Sequence, residues 1–205
     1  MLIQHDGNRP RVAPSAYVAP NAVVSGDVTI GDESRILFGA VVTADGGSIE
    51  IGHHCIVMEH ALVRGRAGHE TRIGNNVLIG PFAYVSGAEI SENAFIATGA
   101  SIFPGAQLGA RTEVRINGVV HVNTVLPEDT TVPIGWVAVG NPGQVLPPQA
   151  HDEIWAIQKD LDFPGTVLEV PRSKEGESHM PEAMARYSKI FGRHLTDRIL
   201  DSADR

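Results

Sequence analysis

Ile73-Gly-Asn-Asn-Val-Leu, Ile79-Gly-Pro-Phe-Ala-Tyr and a shortened Val85-Ser-Gly-Ala-Glu follow one another between Ile73 and Glu89. Each unit opens on an aliphatic residue, and the two full units carry a small or β-branched residue at their fifth position, Val77 and Ala83. A period of six with glycine behind the aliphatic fits no helix. It fits a parallel β-helix, in which each hexad is one flat side of a triangular prism, its aliphatic turned inward and its corner polar.

The same spacing extends outward in both directions. Hexads open at Val12, Val18, Val24, Ile30, Ile36 and Val42, and after an insertion from Asp45 to Glu50 at Ile51, Val57 and Val63. A second insertion carries Arg64 to Arg72, and the hexads then run from Ile73 to Val120, about eighteen units in all. Taking every third hexad sorts them onto three faces. The first holds Ile30, Ile51, Ile73, Ile90 and Leu108; the second holds Ile36, Val57, Ile79, Ile96 and Val114; the third holds Val42, Val63, Val85, Ile102 and Val120. At a strand spacing of about 4.8 Å, the expectation is roughly six turns in a prism on the order of 30 Å long, with its coil core over 12–126. The fold class is therefore all-β with C-terminal α-helices, divided into a coil over 1–148 and a helical extension over 149–205.

Composition sets the outer limits. A net charge of −8 argues against nucleic-acid or anionic-membrane partners, because neutralising phosphates takes clustered Lys and Arg. The single cysteine, Cys55, excludes an internal disulfide and falls at a small inward position, as a buried inert thiol would. The opening MLIQHDGNRP has no apolar signal core, so a cytoplasmic setting is expected. Beyond Leu126 the Pro- and Gly-rich run LPEDTTVPIGWVAVGNPGQVLPP is expected to leave the coil. Apolar stripes at Ile154, Trp155 and Leu161, and at Met184, Tyr187, Phe191, Leu195 and Ile199, predict helices over 152–162 and 182–202.

The coil resembles the hexapeptide-repeat proteins with a left-handed β-helix, and among them the γ-class carbonic anhydrases. The likeness runs from Val12 to Val145 and rests on VAPNAVVSGDVTIGDESRI, FGAVVTAD and the exit IGWVAVGNP. It implies a homotrimer with a zinc ion held between subunits by three histidines, near an Arg-Gly-Asp segment and a glutamine. Carried onto this chain, the Arg-Gly-Asp becomes Thr43-Ala44-Asp45, the glutamine becomes Met58 with Glu59 behind it, and the three histidine positions hold Arg64, Pro81 and Ser86. A hydrating zinc needs neutral nitrogen donors and an open fourth position. Proline offers none, serine is a poor ligand and a guanidinium repels a dication. No metal and no other cofactor is therefore expected at these positions.

Face stacking gathers Glu59, His60, Arg64, Tyr84 and Ser86 into one candidate pocket, beside Asp45, Thr43 and Phe82. Two accounts stay open: a seam between subunits, or a pocket for a small anion or carboxylate with Arg64 and Arg115 as anchors and His60 as base. A hexapeptide acyltransferase is the alternative, with His121 or His69 as general base toward a coenzyme A thioester. A metalloenzyme with a displaced site is a third, although no HxxxH or CxxC spacing supports it.

Overall fold

The computed structural model describes residues 1–174 and 176–200. Its strands form three parallel sheets, the faces of a β-solenoid. Two faces have seven strands each, and the third has ten, of which the outermost on either side runs antiparallel. The register joins Ile30, Ile51, Ile73, Ile90 and Leu108 in one sheet, as the hexad phase requires. The ladder Ile36, Val57, Ile79, Ile96 and Val114 forms the second, and Val42, Val63, Val85, Ile102 and Val120 the third. These side chains are almost fully buried and make one continuous core. Cys55 lies in it, its thiol pushed up by burial against weaker opposing hydrogen bonds from Val77, Ser34 and Asn76.

On the first face the glycine behind the aliphatic has a steric cause. A Cβ on Gly74 would come within 2.6 Å of the Glu92 backbone nitrogen, and one on Gly31 within 2.7 Å of the Gly52 carbonyl oxygen. The corners turn through the left-handed region, with φ of +57° at Asn76, +59° at His60 and +56° at Phe82. Asparagine takes that conformation readily; histidine and phenylalanine do so at a cost, and here their side chains project from one edge of the prism.

The coil is longer than the expected six turns, with about eight. Leu2–Gln4 pairs in parallel with Val23–Ser25 ahead of the first hexad. Thr131–Val132 and Val137–Val139 add strands after Leu126, where the Pro-rich composition was expected to end the coil. Each turn donates its N–H groups to the next, as Arg115 does to the Val132 carbonyl at 3.0 Å. Thr131–Val132 is the last strand of its sheet, so the N–H that Pro133 lacks has no acceptor to lose.

Among the described residues, helices occur only after the coil. Helix α1 spans His151–Gln158 and helix α2 spans Met180–Phe191. A π-helical turn, Pro164–Leu168, lies between them. The second helix stops earlier than its apolar stripe predicts. A 3₁₀ turn, Gly192–Thr196, follows it, and then strand Arg198–Ile199, which pairs antiparallel with Leu2–Gln4. Positions 201 and 202 of the expected helix lie outside the described residues. No described helix is long and apolar enough to cross a membrane.

Candidate functional site

Asp45 ends strand Val41–Asp45 on the third face, where the first insertion lets the strand run on for five residues. The neighbouring strand Leu62–Arg66 brings Arg64 beside Thr43 and Arg66 beside Asp45, and Ser86 pairs with Arg64 from the next turn. Asp45 is buried, and the Thr43 hydroxyl donates to its Oδ1 at 2.7 Å. Arg64 Nε lies 3.1 Å from Asp45 Oδ2, but neither atom attains hydrogen-bond alignment. The contact is an ion pair that leaves the carboxylate lone pair unused.

The C-terminal arm roofs this strand end. Arg64 stacks its guanidinium on Phe191, 5.5 Å from the ring centre. Arg193 donates to the Asp45 carbonyl at 3.2 Å and to Asp6 Oδ2 at 2.6 Å. Arg66 bonds the Val167 carbonyl, and the Tyr187 hydroxyl donates to the same oxygen at 2.6 Å. Under α2 these residues enclose a cavity of about 380 Å³ whose wall holds Arg64, Arg66, Arg186, Lys189 and Arg193 against Asp45 and Glu169. Five cations face two carboxylates in a chain that is acidic overall.

Outside this cavity's lining, a second group of side chains meets Asp45. His194, from the 3₁₀ turn, places Nε2 3.3 Å from Asp45 Oδ1. His5 Nδ1 and His194 Nδ1 bond the two oxygens of Asp197, at 2.6 and 2.8 Å, and the two rings stack with centres 4.3 Å apart. Burial pushes the Asp197 carboxyl up, but the hydrogen bonds from His194 and His5 outweigh it and hold the group below the usual carboxylate range.

The residues singled out from sequence fall into separate places. Thr43, Asp45 and Arg64 are together. Ser86 is fully buried beneath them, its hydroxyl without a partner. His60 stacks on Phe82 at the prism corner, 5.2 Å between ring centres, and Glu59 precedes it there, so neither joins the cavity wall. Tyr84 meets Phe103, and Phe103 and Phe163 enclose His121. His121 is buried with both ring nitrogens unpartnered. Desolvation holds its pKa below the ordinary 6.5, and the Val122 backbone opposes this without reaching hydrogen-bond geometry. Arg115 sits on the second face with Met58 and Pro81, 3.1 Å from Glu113. His5, His194, Asp197 and the arm's basic residues escaped sequence reasoning, since no local spacing links positions nearly two hundred residues apart.

The positions that the carbonic-anhydrase likeness equates with zinc ligands do not fit the ion. Pro81 is at a corner, Ser86 is sealed in the core, and Arg64 already faces Asp45. That donor set holds no imidazole or thiolate.

No family model matches the chain. Over 54 residues it is 44% identical to γ carbonic anhydrase 3 of Arabidopsis thaliana, a mitochondrial protein; the match covers 26% of this chain and 21% of that one. Over 63 residues it is 30% identical to a carbonic anhydrase of Geobacillus kaustophilus, covering 31% and 35%. The matches thus span about a fifth to a third of these relatives' length. A solved Bacillus cereus structure described as an acetyltransferase superposes over 80% of this chain and 93% of its own, with a TM-score of 0.50 at 22% identity. The chain is a hexapeptide-repeat β-solenoid. Carbonic anhydrases are among its relatives in sequence, and a structure described as an acetyltransferase is among its neighbours in fold.

Proposed function

We propose that this β-solenoid is a carbonic-anhydrase-like homotrimer that binds a small anion or carboxylate in the cavity under α2 and does not hydrate CO2 at the positions equated with zinc ligands. One observation carries the reading: five cationic side chains line a cavity whose wall holds two carboxylates, Asp45 and Glu169, with Arg193 paired outside it to Asp6. A guanidinium fork matches a carboxylate or bicarbonate in two-point fashion, and partial burial strengthens the pair. Arg64 is the anchor best placed for this, since its Nε contact to Asp45 is misaligned and its side chain remains 27% exposed. Without a metal at Arg64, Pro81 and Ser86 there is no bound water to ionise there.

Assembly as a trimer is supported by the second face and its edge, where Phe82 and Ile134 stand 65% and 64% exposed beside Tyr17, Phe38, Phe95 and Ile116. Large exposed apolar side chains grouped on one face are what a subunit interface would cover. Tyr84 and Phe103 are less exposed than these, since Tyr84 packs on Phe103 and Phe163 lies against Phe103.

Calorimetric titration with bicarbonate, acetate and malonate tests the binding reading. At least one should bind at millimolar or better affinity, and Arg64→Ala should weaken it tenfold or more. If all three fail, or if Arg64→Ala leaves affinity unchanged, the reading falls. Light scattering that gives a monomer at micromolar concentration refutes the trimer, and CO2 hydration abolished by Ser86→Ala refutes the claim about the family position.

An acyltransferase reading is favoured by one feature, the neutral buried imidazole of His121, which has the protonation state of a general base. Against it, Phe103 and Phe163 close over the ring. Saturable binding of coenzyme A would favour this second reading over the first.

A further inference from the structure

His5, Asp45 and His194 each offer a ligand atom, and these three atoms lie within 4.8 Å of one another. We infer that they form a binding site for a divalent transition-metal ion, with zinc the ion best matched to the donors, joined to the cationic cavity through Asp45. Two imidazoles and one carboxylate are a set that such ions take with a coordination position left open.

The arrangement behind the donors carries the inference. Both imidazoles bond Asp197 through Nδ1, one to each carboxylate oxygen. A ring whose Nδ1–H is given to a carboxylate holds its Nε2 as a bare lone pair, and the carboxylate makes that lone pair more basic. The rings stack 27° from parallel with both Nδ1 atoms on one carboxylate, and a nitrogen of each lies within 4.8 Å of the other and of an Asp45 oxygen. His194 Nε2 reaches toward Asp45 Oδ1 at 3.3 Å, where two acceptors would face each other without a cation between them. His5 is only 2% exposed, and its Nε2 makes no hydrogen bond, lying 3.7 Å from Asp6 Oδ2. Asp45 Oδ2, also buried, has only the misaligned ion-pair contact with Arg64 Nε at 3.1 Å. A buried imidazole nitrogen and a buried carboxylate oxygen that lack a hydrogen bond are costly unless something binds them.

Local charge agrees. Asp6, Asp45 and Asp197 meet here, against the guanidiniums of Arg64 and Arg193. Three carboxylates thus oppose two guanidiniums, a balance that a bound cation would complete. The site is closed by chain topology. Strand Arg198–Ile199 pairs with Leu2–Gln4, which sets His194 and Asp197 against His5 at the opposite end of the sequence. The inference does not need the anion reading, although the two sites share Asp45 and an anion bound under α2 would lie beside the metal.

The test is metal content and affinity of the full chain, free of any affinity tag. Protein purified without chelator should carry about one equivalent of zinc per subunit by elemental analysis. After removal of that metal, Co2+ should restore visible absorption of the kind given by low-coordinate cobalt. His5→Gln and His194→Gln should each lower affinity a hundredfold or more, and Asp197→Asn by about 10–100-fold through the lost support of both rings. His69→Gln and His121→Gln should leave it unchanged. Should His5→Gln fail to fold, the 36% exposed His194 supplies the same test with little risk to the core. Absence of Zn2+ and Co2+ binding tighter than about 100 µM would overturn the site, leaving the cluster a structural clasp. Binding that survives both His5→Gln and His194→Gln would overturn it too. Anion titration of the metal-free protein reads the other proposal separately.

Discussion

The coil and the C-terminal arm are built on opposite principles. In the coil, contacts join residues one turn apart, such as Ile73 with Ile90 or Val57 with Ile79. In the arm, contacts reach across the whole chain: Arg66 to Tyr187 spans 121 residues, and His5 to Asp197 spans 192. The coil derives its stability from a repeated apolar ladder, and the arm takes its position from a few polar bonds laid over that ladder. Stability therefore concentrates in the coil, while the chemistry gathers where the arm lands on it.

Core truncation should separate the two regions most sharply. Ile79 is fully buried, and Ile79→Ala is expected to cost about 2–5 kcal/mol in urea unfolding, from lost transfer energy and the cavity left behind. Leu195 in the arm is 91% exposed, and Leu195→Ala should stay within about 0.5 kcal/mol. Equal costs at the two sites would show that the arm is as deeply packed as the coil.

Glycines give the next largest contrast. Gly74→Ala forces a Cβ to 2.6 Å from the Glu92 backbone nitrogen and should destabilise by about 1–3 kcal/mol. Gly192 has helical φ and ψ of −60° and −20°, and a Cβ there meets nothing within 4 Å. Gly192→Ala should accordingly stabilise by about 0.4–1 kcal/mol, by restricting the unfolded chain. Thermal unfolding of the pair checks both signs.

A smaller effect is expected where the arm touches the coil. Tyr187→Phe removes the hydroxyl that donates to Val167 at 2.6 Å, while Arg66 still bonds the same carbonyl. The hydroxyl also accepts from Arg66 at 3.2 Å, but Arg66 and the Val167 carbonyl keep each other as partners, so a loss of about 0.5–1.5 kcal/mol follows. A larger loss would mean that this contact holds the whole arm in place.

What could be read from sequence follows the same division. The three aliphatic ladders were legible to the residue, because a period of six fixes which side chains stack once one hexad is placed. The first turn was missed because Leu2–Gln4 lacks the hexad signature and is held by pairing with Val23–Ser25. The last turn was missed because Pro133 reads as a chain breaker, whereas at a final strand its lacking N–H has no role. At the site, Asp45, Arg64 and Thr43 were legible, since all three lie on the third face. His60 and Glu59 were drawn into the same pocket by column order alone, although the left-handed corner turns His60 onto Phe82. His5 and His194 carry no signal in sequence. Their meeting depends on a two-residue strand pairing between the ends of the chain.

His121 tests the coil's edge by the slope of stability with pH. Its pKa in the folded chain lies below the ordinary 6.5, chiefly because burial disfavours the imidazolium. As pH falls through about 6.5, the unfolded chain takes up a proton at this residue and the folded chain does not. The unfolded state then binds more protons, so stability declines with falling pH until the folded imidazole also titrates, where this contribution levels off. Replacing the ring by an apolar one removes the term and also the two unpartnered buried nitrogens. His121→Phe should thus flatten the fall in unfolding free energy between pH 7 and pH 5 relative to the parent chain, with the two proteins closest in slope above pH 7. The difference between the two profiles isolates His121 from the other histidines, which are present in both. Parallel profiles across that range would mean that the folded imidazole reaches water or a partner, and that Phe103 and Phe163 do not seal it.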